Sequence, residues 1–129
     1  MDDLDFMSVN VDDAVELQLV QNGWSGDLEV AVVQPNAEKS FIRVLLNIPG
    51  EEFTRMVGHM LWFPKDSDTP DQVNSSKLAL KRFFEAFGID GDDRRSPENW
   101  IGLSAKAILK IKTNKDPQYG DENVVSKWL

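Results

Sequence analysis

The chain has 129 residues, 41% hydrophobic and 28% charged, a formal net charge of −8 and no cysteine. That is the size and make-up of one soluble domain with a genuine core, and it excludes a disulfide framework and a thiolate metal site. No apolar run reaches the ~18 residues of a membrane span, and the acidic start MDDLDFM is the reverse of a secretory leader, so no membrane association and a reducing, cytoplasmic setting are expected.

The charge is uneven along the chain. Residues 1–38 hold nine acidic side chains and no Lys or Arg, leaving 14 basic and 13 acidic groups in the other 91 residues. The acidic pI therefore describes the front of the molecule and leaves a polyanion partner open for the back. Residues 1–13 read as an acidic flexible segment, and 14–129 as the folded domain.

Within that domain, Val15, Leu17 and Leu19 alternate with polar residues, which predicts an extra N-terminal strand or an edge cover ahead of the Asn22-Gly23 turn. Leu28 to Val33 reads as a strand, with a turn at Pro35-Asn36. Ser40 to Ile48 follows, with Ile42, Val44, Leu46 and Ile48 inward and Phe41, Arg43, Leu45 and Asn47 outward. Pro49-Gly50 ends it. Met56 to Phe63 is the next strand, stopped by Pro64. A polar loop from Lys65 to Val73 leads to an N-cap at Asn74 or Ser75 and a helix from about Ser76 to Phe87. Leu80, Phe83, Phe84 and Phe87 form its apolar stripe, and Gly88 is a left-handed stop. A charged loop over Asp90 to Asn99 precedes a long strand, Ile101 to Thr113. A turn through Pro117 and Gly120 leads to a closing strand, Asn123 to Trp128.

Strands, one helix, then two strands describe an all-β fold with one helix. A lone helix cannot cover both faces of a sheet, so an OB-fold-like five-stranded antiparallel barrel with the helix plugging one end is expected.

The long strand is the informative one. In SAKAILKIKTNK, Ala105, Ala107, Leu109 and Ile111 share one face, while Lys106, Ile108, Lys110 and Lys112 share the other, and Lys115 follows. Two readings of this row stand open: neutralisation of backbone phosphates, or a solvated face protected from edge aggregation by lysines.

Several pieces of the chain resemble small phage-encoded OB-fold proteins that bind single-stranded DNA. They are Met60-Leu61-Trp62-Phe63-Pro64, Arg82 through Ile89, Trp100-Ile101-Gly102, Tyr119-Gly120 and Asn123-Val124-Val125, together covering about Leu28 to Leu129. Their order and spacing carry the resemblance. Leu103 departs from it, standing where a basic residue often follows the glycine. The resemblance implies sequence-independent binding of single-stranded DNA in phage DNA replication or recombination, without cofactor, in the host-cell cytoplasm. It favours the phosphate reading of the lysines.

Binding without sequence readout also needs flat rings on which bases stack. Phe41 is the first candidate, since strand parity puts it outward beside Arg43. Trp62 precedes a polar loop, and Tyr119 follows the lysines in a turn. For Trp62 and Trp100, core packing is the competing assignment. The nucleic-acid-binding set is therefore Phe41, Arg43, Trp62, Lys106, Lys110, Lys112, Lys115 and Tyr119. Arg94-Arg95, flanked by Asp92 and Asp93, read as paired and solvated. His59 has no catalytic partner in sequence, Asp90-Gly91-Asp92-Asp93 lacks the spacing of a calcium loop, and no nucleotide or hydrolase motif is present. A non-enzymatic protein is expected.

The acidic front has three readings: a solubilising tail, a recruiter of replication or recombination proteins through Asp2 to Phe6, or an internal competitor for the lysine face. The rival to DNA binding is an acidic barrel that docks on another protein. The oligomeric state is not legible, and a dimer stays open.

Overall fold

The computed structural model describes residues 5–116 and 118–129; Asp2 to Leu4 of the proposed recruiting motif and Pro117 of the predicted turn lie outside them. Five strands, β1 (Ser25–Asn36), β2 (Phe41–Asn47), β3 (Val57–Trp62), β4 (Ser104–Thr113) and β5 (Asp121–Trp128), form one antiparallel sheet in the order β3-β2-β1-β4-β5. One α-helix, α1 (Pro70–Phe87), sits in the chain between β3 and β4. The sheet curls until its two edge strands, β3 and β5, come alongside each other, with His59 and Trp128 rings 5.3 Å apart. No backbone ladder joins them, so the barrel is not closed.

β1 is the hinge of this arrangement. Its first half, Ser25 to Glu29, pairs with β4, and its second half pairs with β2 from Glu29 to Asn36. A bulge at Ala31, between Val30 and Val32, marks the hand-over. The extra residue bends the strand and shifts its inward parity from Leu28 and Val30 to Val33. At the same place the Val30 N–H donates to Leu103 C=O and Gly102 N–H to Val30 C=O, both at 2.9 Å.

The core follows from alternation. Leu28, Val30, Val44, Leu46, Val57, Leu61, Ala107 and Leu109 are buried on the inner face, and Leu80, Phe83, Phe84 and Phe87 enter from α1. Trp100 is fully buried between Phe83 and Phe84, and its indole N–H donates to Asp93 C=O at 2.6 Å, which satisfies its polar atom. Among the described residues no buried side-chain polar atom lacks a partner, and no helix is long and apolar enough to cross a membrane.

Several expectations need correction. Val15 to Val20 forms no strand: a single parallel bridge, Gln18 to Thr54, is all that pairs, and Val15 and Leu17 are exposed. The segment is held instead by Asn123, whose side chain bonds both Val20 N–H (2.9 Å) and Val20 C=O (3.0 Å). The helix begins six residues before its predicted start. Thr69 is the N-cap, in a reciprocal capping box with Gln72, and Pro70 is the first helical residue, where its missing N–H does no harm. Pro35 and Asn36 belong to β1, the turn lies at 37–40, and Ser40 carries its left-handed residue at φ 58°. Pro97–Trp100 is a 3-10 turn, so β4 starts only at Ser104. Ile111, expected inward, is exposed because β4 runs past the core after Leu109 and is paired there with β5 alone.

Candidate nucleic-acid interface

The outer face of β2 and β3 gathers part of the expected set. Gly58, Met60 and Trp62 point outward between inward Val57, His59 and Leu61, and Trp62 is 48% exposed. Across the ladder Phe41 stands opposite Trp62, with ring centroids 5.1 Å apart at 61°. Arg43 lies two residues along, opposite Met60 and Gln34, with its guanidinium over Gly58. A methyl added at residue 58 would meet the guanidinium at 3.7 Å, an ordinary contact, so the two lie against each other without crowding. Arg43 Nη1 is 3.5 Å from Gln34 Oε1, so the head stays almost uncommitted and available to an anion.

Lys65 completes this cluster. Its ammonium lies 5.7 Å from the centre of the Trp62 ring, a cation–π distance. β3 ends at Trp62, and Pro64, which has no N–H to extend the ladder, stands directly before Lys65. Beside it, a shallow cleft of about 440 Å³ runs from Trp62 and Lys65 to Gln72, Ser75 and Ser76 at the start of α1, with Asp68 and Asp71 on its border. In the sequence Lys65 belongs only to a polar loop. Its position directly after a strand-ending Trp-Phe-Pro was the available signal.

Lys106, Lys110 and Lys112 are exposed along the outer face of β4, and Lys115 and Tyr119 are exposed in the turn after it. The ladder places Asp27 opposite Lys106 and Glu122 opposite Lys112. Among the described residues none of these lysines has a carboxylate oxygen at ion-pair distance, and the one ion pair is Lys81–Glu85 at 4.0 Å. The lysines therefore remain charged donors for a ligand, in a local field weakened by two carboxylates.

The eight residues do not form one patch. Phe41, Arg43 and Trp62 cluster with Lys65 on β2 and β3, while the lysines and Tyr119 occupy β4 and its turn. β1 lies between them and presents Asp27 and Glu29 outward on either side of buried Leu28. A strand of nucleic acid that joins the two groups over β1 crosses that acidic pair.

Other candidates resolve into packing. Arg94 is not paired with its neighbouring aspartates: it lies over the Phe84 ring at 5.2 Å and donates from Nε to Ile89 C=O at 3.3 Å. His59 stacks on Phe83 at 5.7 Å and 10°, and burial pushes its pKa below the ordinary 6.5, so it is neutral at neutral pH. Among the described residues no cluster of His, Asp or Glu is arranged to hold a metal ion. Compared with known proteins, the chain matches no protein-family model and no curated sequence.

Proposed function

We propose that this protein binds single-stranded DNA without sequence readout, as a non-enzymatic phage protein of replication or recombination. The observation that carries the reading is the Phe41–Trp62 platform flanked by Arg43 and Lys65. The half-exposed Trp62 ring, with the partly buried Phe41 ring beside it, offers a surface to the faces of unpaired bases, each worth ~1–3 kcal/mol, and the two neighbouring cations suit the phosphates of the same strand. Duplex DNA hides its base faces in the stack and cannot use such a platform. The lysine row of β4 adds long-range attraction, with ~0.7 counterion equivalents released per phosphate contact on a single strand.

Tryptophan fluorescence tests this directly, because Trp62 lies on the platform whereas Trp100 is buried. Oligo-dT is expected to quench emission with an affinity that falls as salt rises, and a duplex of equal length to do so far less. If neither ligand changes the emission or is retained at moderate salt, the face docks a protein instead. The half-exposed Met60 beside the rings suits that second reading.

A further inference from the structure

Gln18 docks on the loop between β2 and β3. Its N–H donates to Phe53 C=O at 2.7 Å and its C=O accepts from Arg55 N–H at 3.0 Å, forming the parallel bridge to Thr54. That register sets Leu17 alongside Phe53, and both are exposed, at 54% and 52%. Phe53 is held at φ 58°, a left-handed conformation that a bulky residue seldom adopts and that persists only where its surroundings fix it. The two bonds from Gln18 supply that fixation. The result is an apolar knob presented to solvent on a pinned loop. Three exposed carboxylates, Glu16, Glu51 and Glu52, stand beside it in the chain against one cation, Arg55.

The complementary chemistry lies between α1 and the end of β5, in a cleft of about 710 Å³, within the ~300–1,000 Å³ of ligand-sized clefts. β3 flanks it through His59, which meets Trp128, so the cleft has room for side chains and not for a further strand. Ala86, Val125 and Trp128 line it with apolar surface, and exposed Arg82 and Lys127 line it with charge. Glu85, the acidic group there, lies 4.0 Å from Lys81. Knob and cleft of one chain are held apart. Gln18 is two residues from Val20, which Asn123 clasps near the start of β5. Trp128 lies five extended residues beyond Asn123, roughly 16 Å.

We infer that the chain assembles head to tail, the Leu17–Phe53 knob of one copy seated in the cleft of the next. The Phe53 ring packs against Trp128 and its apolar neighbours, while Glu16, Glu51 and Glu52 face Arg82 and Lys127. The two contacting surfaces differ, so the contact does not close on itself as a two-fold dimer does. It leaves a free knob at one end and a free cleft at the other, and growth continues. The assembly needs no DNA and uses no residue of the Phe41–Trp62 cluster.

Sedimentation of the unmodified chain is expected to show mass rising past the dimer with concentration, less steeply as salt increases. Leu17→Asp with Phe53→Asn disables the knob, asparagine being tolerant of the left-handed backbone. Arg82→Glu with Lys127→Glu disables the cleft. Each variant alone should raise the dissociation constant tenfold or more, with unchanged melting temperatures showing that both fold. Mixed in equal amounts, they should form a dimer and nothing larger, because the intact knob of one enters the intact cleft of the other and both remaining ends are dead. Adding Glu51→Lys and Glu52→Lys to the cleft variant should restore growth. A monomer mass at every concentration overturns the inference. So does an unmodified chain that stops at the dimer, assembly indifferent to both variants, or a mixture of the two that stays monomeric.

Discussion

Asp27 stands directly opposite Lys106 across the β1–β4 ladder. Both are exposed, and neither is locked to the other at ion-pair distance. With Glu29 two residues on, Asp27 marks the acidic line between the aromatic cluster and the lysine row. Removing its charge should help a polyanion that spans the two. A surface charge contact is worth up to ~1 kcal/mol, so Asp27→Asn is expected to tighten oligo-dT binding by up to about fivefold at low salt and by little at high salt. Titration at two ionic strengths reads this, and identical affinities for the variant and the unmodified chain at low salt would mean that the strand never crosses β1.

Trp62 offers the sharper mutation. It is half exposed and lies outside the buried set, so Trp62→Ala should leave the fold intact while removing the larger of two stacking surfaces. The expected loss is ~1–3 kcal/mol of binding, with most of the ligand-induced quenching gone and the salt slope kept. Phe41→Ala should cost less, because the Trp62 face persists. Replacing Lys106, Lys110 and Lys112 together should do the opposite, flattening the salt slope by ~0.7 per lost phosphate contact while quenching at saturation remains. A triple variant that abolishes saturating quenching would move the site to β4.

How much of this was legible in the chain depended on whether a feature is local. The alternation from Phe41 to Asn47 set β2's two faces correctly, because each residue's side follows from its neighbours. Parity likewise put Lys106, Lys110 and Lys112 outward. The carboxylates opposite them, Asp27 and Glu122, belong to other strands, and no pattern within β4 announces which residues a ladder will set beside it. The bulge at Ala31 was invisible for the same reason: it answers the need of β1 to serve two partners. At Thr69 the failure was local, since Pro70 reads as a break until it is placed at the first helical position, and Asn74 and Ser75 offered a rival cap. The alternation of Val15, Leu17 and Leu19 was real, but alternation makes a strand only where an edge is within reach.

Among the glycines, Gly26 is the one where an added Cβ would meet a neighbouring side chain closer than van der Waals contact. The Trp24 indole lies against it, so that a Cβ at residue 26 would fall 2.7 Å from the ring. Trp24 is partly buried against the core, and that packing limits how far the ring can withdraw. Gly26→Ala is therefore expected to destabilise by ~1–3 kcal/mol, the range of overpacking, and to alter tryptophan emission. The change should appear as a lower denaturation midpoint with an unchanged slope. A midpoint equal to that of the parent would show that the indole is free to move.

His59 supplies a pH dependence whose sign follows from its surroundings. It lies between Phe83 and the edge of Trp128, and burial disfavours the imidazolium, holding its pKa below 6.5. In the unfolded chain the ring takes up its proton near the ordinary value. Between that value and the lower folded one, the unfolded state binds more protons, so stability rises with pH and is lost as pH falls. Above the ordinary value the group contributes no slope. Carboxylates add their own acid dependence, which His59→Gln leaves in place, so the difference between the two proteins isolates the ring. Melting temperatures from about pH 7.5 down to about pH 5 should fall more steeply for the parent than for the variant, and the gap should open only below the ordinary histidine range. Parallel curves would mean that the folded site accepts the charge, with Glu85, which lines the same cleft, as the acidic group to receive it.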